Sequence, residues 1–327
     1  MTNSAEVIIG IPTYNQQAYI HQTLSSCVNQ TYGNITVIVA DDQSADGTEK
    51  VVGQFDNDIV IYKKNPKRLG RIQNYRKLLY EYASDAAWYI NLDGDDYFTD
   101  QDFINNAMHF INSHLTENIV FYQANHNLDA IKKVLPVYKD LSSAEIMVSG
   151  KDYFRLFPRI RHFTHCATLY NRSRALPLNF YSFDCLFTDS HSILKLSLTG
   201  NVILSSRKVA VWREHAENES KSLTDENLHK ELASLNDIAI FAKSFFTKDE
   251  IDKWLKKMKE YYKMIFIYHK STFSPGWRTI GFIMKHWRFN LFYPRYIVKN
   301  FLLMVTAFFH RQNRNGTYSG STADSAS

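Results

Sequence analysis

Ala86-Ala87-Trp88-Tyr89-Ile90-Asn91-Leu92-Asp93-Gly94-Asp95-Asp96 is a strand-length apolar run that ends in three carboxylates within four residues, broken by one glycine. Gathering that much like charge raises the pKa of each group and is unfavourable in isolation. A hard divalent cation removes the difficulty, and oxygen ligands of this kind suit Mg2+ or Mn2+. Such ions keep several waters and take phosphate oxygens from a substrate. The alternative is a solvated acidic turn after a strand, and the stretch taken alone allows both.

Upstream the pattern repeats. Val7-Ile8-Ile9-Gly10-Ile11 is an unalternating apolar run, ended by Pro12, with Thr13-Tyr14-Asn15 as its turn. Ile35–Ala40 is a second run, leading straight into Asp41-Asp42-Gln43-Ser44, and Ile59-Val60-Ile61-Tyr62 is a third. Between them lie helical spacings. Ile20, Leu24, Cys27 and Val28 recur within Ala18–Asn29, and Leu69, Ile72, Tyr75, Leu78, Leu79 and Tyr82 share one face of Leu69–Ala83. A shorter helix over Lys50–Phe55 opens with Asp46 and Thr48, which read as caps.

This alternation predicts an α/β fold with a doubly wound, mostly parallel sheet flanked by helices. Ligands of such sheets bind at the carboxyl ends of the strands, near a switch in strand order. Thr13 and Asn15, Asp41 and Asp42, and Asp93, Asp95 and Asp96 all sit there, each group past a different strand. Gly10-Ile11-Pro12-Thr13-Tyr14-Asn15 lacks the G-x-G-x-x-G of a dinucleotide site, which excludes a hydride-transfer Rossmann enzyme.

The chain has 327 residues, 45% hydrophobic and 22% charged, an ordinary globular balance. Cys27, Cys166 and Cys185 have no metal-ligand spacing, so a reduced, cytoplasmic setting is expected. The first residues show no signal-peptide pattern, and no run reaches the roughly 18 apolar residues of a spanning helix. The net charge of +5 is mild, so its distribution matters more than its total.

In combination, Val7–Asn15, Gln30-Thr31-Tyr32, Val39–Thr48 and Asn91–Asp96 resemble the successive signatures of family 2 glycosyltransferases, over about Val7 to Ser220. The resemblance implies a GT-A fold and a nucleotide-sugar donor, with UDP expected. Asn65, Gly70 and Asn74 echo the family's Asn-x-Gly…Asn run, with a longer first gap through Pro66–Leu69. It further implies a donor pocket of Pro12, Thr13, Asn15, Asp41, Gly70, Asn74 and Asp93, Asp41 facing the base and Asp93 the ribose or sugar. Asp95 becomes the metal ligand. Asp42 stays open between turn residue and second pocket carboxylate. The residue types suit the chemistry: a departing diphosphate must have its charge neutralised, and a carboxylate can accept from a base N–H.

Farther on, Phe103–His114 reads as a helix, Ile119–Gln123 as a strand, Ile131–Tyr138 as an edge strand or hairpin, and Gly150–Phe157 as a helix ended by Pro158. In the family, the region Arg159–Arg172 borders the acceptor pocket, which makes Thr164 and His165 acceptor-side contacts; a lone histidine is otherwise more often structural. A single displacement needs a general base on the acceptor hydroxyl. Thr188-Asp189-Ser190-His191 opens a helix, and Asp189 matches the family's catalytic aspartate. Thr188 stands where relatives usually carry Glu. A plain N-cap is the competing reading of Asp189, but spacing and surroundings favour the base, and Asp184 is the alternate base. Arg213-Glu214-His215 resembles an Arg-x-His segment that closes over the donor, with Arg213 on the diphosphate and His215 on metal or phosphate. A solvated charged loop is its alternative.

Two helices, Asn227–Phe246 and Lys248–Tyr268, follow. From Tyr261 to Ala323 there is no Asp or Glu, while Lys and Arg accumulate among Trp, Phe and Tyr. That composition suits an anionic membrane surface through residues 270–311; a helical pair covering the catalytic domain is the competing reading, and no nucleic acid is expected. Residues 312–327 read as a disordered tail. The expected organisation is a glycosyltransferase domain over 1–222 (nucleotide part about 1–98, acceptor part about 99–222) and a basic-aromatic helical extension over 223–311. The expected protein is an inverting, Mn2+- or Mg2+-dependent glycosyltransferase using a UDP-sugar. Its acceptor is a glycan or lipid-linked hydroxyl in polysaccharide assembly, and its location is the cytoplasm or the inner membrane face. The rivals are a non-catalytic nucleotide-sugar binding protein and a nucleotidyltransferase; the latter wants a basic triphosphate loop near the N-terminus, and the sequence has none.

Overall fold

Val7–Thr13 forms β1, seven residues in a row buried, because it has a parallel neighbour on each edge. A strand covered on both faces has no solvent side to alternate with, hence its unbroken apolar run. The computed structural model describes residues 6–56, 58–126, 128, 131, 143–160, 165–215, 218, 224–273 and 276–286. Among them the main sheet has the order β3-β2-β1-β4-β8-β6-β9-β7. Its further strands are Ile35–Asp41 (β2), Val60–Lys64 (β3), Trp88–Asn91 (β4), Ile119–Gln123 (β6), Glu145–Ser149 (β7), Thr168–Asn171 (β8) and Asn201–Ser205 (β9). β8 runs antiparallel to β4 and β6, and β7 antiparallel to β9; the other pairs are parallel. A short ribbon pairs Tyr97–Phe98 (β5) with Ala210–Val211 (β10).

Strand order switches between β1 and β4, so the loops after β1, β2 and β4 open at one edge of the sheet, as the doubly wound reading expected. Helices Ile20–Val28 (α1), Thr48–Val52 (α2), Arg71–Lys77 (α3), Phe103–Asn112 (α4), Gly150–Ile160 (α5) and Thr188–Ser197 (α6) connect these strands. α3 continues into a π turn at Leu78–Tyr82. The Gln30-Thr31-Tyr32 motif anchors the start of α4: Gln30 Nε2 donates to Asp100 O at 2.9 Å and its Oε1 accepts from Ile104 N at 3.2 Å.

Two prolines do less than the sequence suggests. Pro12 does not end β1, which continues to Thr13. Its missing N–H faces β4, whose pairing has already stopped at Gly10 and Asn91, while its carbonyl still accepts from Gly94 N at 3.2 Å. Pro158 lies inside α5 instead of ending it. A proline there leaves the carbonyl four residues back without its helical donor. That carbonyl belongs to Phe154, and the indole Nε1 of Trp254 donates to it at 2.9 Å while the two rings stack 4.3 Å apart. The edge strand expected at Ile131–Tyr138 falls outside the described residues apart from Ile131, and β7 occupies the sheet edge. The three cysteines are buried thiols that form no disulfide among the described residues.

Contacts divide the chain into two units. One takes in the residues up to His215 together with Ala233–Leu255. The other comprises Ala216–Leu232 and Lys256 onward; within its described residues Asp225 pairs with Lys270 at 3.8 Å and Lys285 at 3.5 Å, and Phe282 and Ile283 are buried. Most of 270–311 and all of 312–327 lie outside the described residues. No helix among the described residues is long and apolar enough to cross a membrane.

Trp254→Phe keeps the stack on Phe154 but strips its carbonyl of a buried donor, and is expected to lower the unfolding free energy by about 1–3 kcal/mol. In a Pro158→Ala background the new backbone N–H takes that bond, so the loss shrinks. Urea unfolding of both pairs checks this; equal losses in the two backgrounds contradict it.

Candidate active site

The carboxylate loop after β4 is held by backbone bonds on several sides. Gly94 N donates to Pro12 O, Asp96 N donates to Asp93 O at 2.9 Å, and the Thr23 hydroxyl is shared between Asp96 O at 2.7 Å and Gly94 O at 3.0 Å. A side chain at Gly94 would come within 2.8 Å of Thr13 Oγ1, so the two strand ends approach closely only because this residue is glycine. Thr13 Oγ1 is buried and has no partner within the protein.

The three aspartates have different surroundings. Asp93 Oδ1 accepts from Tyr75 Oη at 2.7 Å and from Asn91 Nδ2 at 3.2 Å. Burial, and next the Asp95 charge, push its carboxyl up to about 7. Asp96 turns inward, is 3% exposed, and accepts from Arg213 N at 2.9 Å; burial and then Asp93 hold it well above the carboxylate range. Asp95 meets His215, Nε2 to Oδ2 at 2.6 Å, and the imidazole stacks on Tyr19 at 4.8 Å.

Arg213 staples the other side. Its Nε donates to Asp95 O at 2.7 Å, its Nη2 to Gln22 Oε1 at 2.6 Å, and its guanidinium lies 5.0 Å from the ring centroids of both Tyr19 and Tyr97. Pairing of β10 with β5 delivers this segment to the loop.

At the end of β2, Asp41 and Asp42 separate in role. Asp41, fully buried, accepts from Ser44 N at 2.7 Å and from the Tyr62 hydroxyl. Asp42 faces away and builds the loop 65–70, accepting from Leu69 N at 2.7 Å, Gly70 N at 2.8 Å and Asn65 Nδ2 at 3.0 Å. Gly70 has φ +82°, ψ 161°, backbone that glycine alone adopts readily. Asn74 supports the same loop from behind, its amide bridging Ala40 O at 2.8 Å and Asn65 Nδ2 at 2.9 Å. Asn15, also at positive φ, accepts from Ala45 N through Oδ1. Asp46 takes the Thr48 amide just ahead of α2, whose N-cap is Gly47 and not the Asp46 or Thr48 that the sequence suggested.

Asp189 lies in the first turn of α6, where Ser190 N donates to Oδ1 at 2.7 Å. Burial raises its carboxyl to about 6. His165 Nδ1 is 3.8 Å from Asp189 Oδ2, and its Nε2 is 2.8 Å from Tyr181 Oη. Burial and then Arg71 push His165 down to about 3, so the pair is a neutral imidazole facing a carboxylate and not an ion pair. Asp184 is exposed in the preceding loop, and Thr164 lies outside the described residues.

The structure thus brings Pro12, Thr13, Asp93, Asp95, Arg213 and His215 together, with Asp41, Asn15 and Gly70 on the neighbouring loops. Two further residues, unnoticed in the sequence, stand between the acidic loop and α6. Tyr75 reads there as a helix core residue, which its burial bears out, but its hydroxyl reaches Asp93. Arg71 donates through Nη2 to Leu186 O at 3.1 Å and Cys185 O at 3.3 Å. Among the described residues no three His, Cys, Asp or Glu side chains form a metal cage from protein alone. One carboxylate oxygen and one imidazole nitrogen on Asp95 and His215 nevertheless suit a divalent ion whose other positions go to water and phosphate.

The family model described as Glycosyl transferase family 2 matches residues 8–175. UDP-Glc:alpha-D-GlcNAc-diphosphoundecaprenol beta-1,3-glucosyltransferase WfaP of Escherichia coli is 31% identical over 123 residues, 38% of this chain and 47% of that protein. The match therefore spans about half of that relative's length. S. aureus TarS 1-349 in complex with UDP-GlcNAc superposes with a TM-score of 0.59 at 15% identity, over 90% of this chain and 79% of that one. Mannosyltransferase PcManGT from Pyrobaculum calidifontis, in complex with GDP-Man and Mn2+, gives 0.56 at 15% identity, over 93% and 81%. At such identity the likeness shows the fold.

Asp42→Ala releases the Leu69 and Gly70 amides from a charged acceptor. Their hydrogen exchange is expected to accelerate about tenfold or more, with residues of β1 unchanged. Unaltered exchange at both amides contradicts the assignment of Asp42 to the loop.

Proposed function

The chain belongs to glycosyl transferase family 2, and on that premise we propose that it moves a sugar from a nucleotide diphosphate to an acceptor hydroxyl with inversion. The observation that carries the reading is the Asp95–His215 contact of 2.6 Å beside the loop that also presents Asp93. A donor diphosphate lying there meets one imidazole, two carboxylates and the partnerless hydroxyl of Thr13. A divalent ion, Mn2+ or Mg2+, held by Asp95 and His215 would neutralise the charge that gathers on the departing diphosphate.

The chain's own groups do the rest. Asp41, whose plane Ser44 and Tyr62 fix, is the carboxylate we assign to accept a base N–H. The name of WfaP begins with UDP-Glc and TarS is solved in complex with UDP-GlcNAc, and we assign uracil on that likeness. Asp93, braced by Tyr75 and Asn91, faces the ribose or sugar. Asp189 is the base. Raised to about 6, it is ionised at neutral pH yet basic enough to take a proton. In one displacement the acceptor oxygen bonds to the anomeric carbon, its proton passes to Asp189, and the bond to the diphosphate breaks. His165, neutral and anchored on Tyr181, walls the acceptor side. A lipid-linked glycan, the acceptor class in the name of WfaP, is the acceptor we propose.

Asp189→Asn is expected to lower kcat/KM by roughly 10²–10⁴-fold with UDP affinity kept. In the wild type kcat/KM falls as pH drops from about 7 through about 6, where first Asp93 and then Asp189 take up protons. Turnover of UDP-glucose or UDP-N-acetylglucosamine measures both. Near-wild-type activity of the variant sinks the assignment.

A further inference from the structure

We infer that Arg71 is a positioning residue that ties the acidic loop to the base: its guanidinium fixes the segment that delivers Asp189 and lies over Tyr75, whose hydroxyl holds Asp93. The inference rests on the reading of Asp189 as base.

The geometry starts from a fixed platform. Gly70, directly before Arg71, is held by Asp42, so α3 begins at a defined place. From there Arg71 Nη2 donates to Cys185 O and Leu186 O, just ahead of Thr188, the first residue of α6. Its guanidinium carbon lies 5.5 Å from the ring centroid of Tyr75, whose hydroxyl donates to Asp93. A second arginine on α3 grips the far end of the same segment: Arg76 Nη1 donates to Asn179 Oδ1 at 2.9 Å and Phe180 O at 3.1 Å.

The segment needs that grip. Asn179 and Tyr181 both have positive φ, a region that is unfavourable for a side-chain-bearing residue and most of all for the bulky Tyr181. A backbone so shaped keeps its form only when its surroundings hold it. Arg76 binds the far end of the segment, whereas the charge of Arg71 lowers Asp189 against the burial that raises it and helps keep His165 neutral. The other groups that face Asp189 are His165 ahead of β8, Asp93, Tyr153 on α5, Tyr170 on β8, and Tyr181. A lysine would keep the charge but, as a single ammonium on a flexible stem, would not span two carbonyls.

Three variants separate charge from shape. Carboxyl-carbon NMR of the metal-free protein, with Asp189→Asn to assign the signal, follows the titration of Asp189. Arg71→Met is expected to raise the Asp189 midpoint by about one pH unit and to reduce kcat/KM at pH 7 about tenfold. Arg71→Lys is expected to return the midpoint close to wild type while kcat/KM stays low. Arg76→Met is expected to loosen the segment without moving the midpoint. An unmoved midpoint in Arg71→Met, or an equal shift in Arg76→Met, overturns the inference. Should Arg71→Met fail to fold, Arg71→Lys decides: wild-type kcat/KM there overturns it. Full activity of Asp189→Asn removes the base reading instead, and leaves the midpoint shift to stand or fall separately.

Discussion

Three carboxylates confined to four residues at the end of a buried strand set the terms for the rest of the molecule. Their mutual repulsion is unfavourable, and burial makes it worse. The fold answers each one differently. Asp96 is turned inward onto the Arg213 amide, Asp93 is given a tyrosine hydroxyl, and Asp95, itself nearly buried, is given a histidine. A single acidic motif thus yields three carboxylates with three different partners.

Holding that loop draws in distant chain. Thr23 on α1 pins its carbonyls, β10 brings Arg213 and His215 across β5, and Tyr75 arrives from α3. α3 then serves a second purpose. Asp42 fixes its first turn, and its arginines hold the segment that leads into α6. This helix is joined to the segment before α6 by hydrogen bonds from guanidinium groups to carbonyls, beside the edge-on contacts of Tyr75 with His165 and Tyr181. Such bonds are directional, so a small error in α3 would be felt at Asp189.

The strands of the nucleotide-binding half were legible because a strand buried on both faces must be apolar throughout, and the polar turn after each marks the site edge. The acidic loop and Asp41 could be picked out as carboxylates just past strand ends, and Asp189 as the aspartate at a helix start that matches the family pattern. What stayed hidden depends on partners remote in sequence. Pro158 looks like a helix stop until Trp254 supplies the missing donor. Asp42, open in the sequence between turn residue and pocket carboxylate, and Asn74, expected in the pocket, both carry the loop 65–70. Arg71 has no local signal, since the carbonyls it binds lie 114 and 115 residues on. Local pattern reports burial and turn chemistry well; it cannot report which far carbonyl a guanidinium will find.

The central claim is that Asp95 and His215 bind a divalent ion together with the diphosphate of the donor. Calorimetric titration of UDP with and without Mn2+ tests it most directly. The account predicts that Mn2+ tightens UDP binding at least about tenfold, a coupling of about 1.4 kcal/mol, and that Asp95→Ala abolishes the gain. UDP affinity that is the same with and without Mn2+, or a gain that survives in Asp95→Ala, would contradict it.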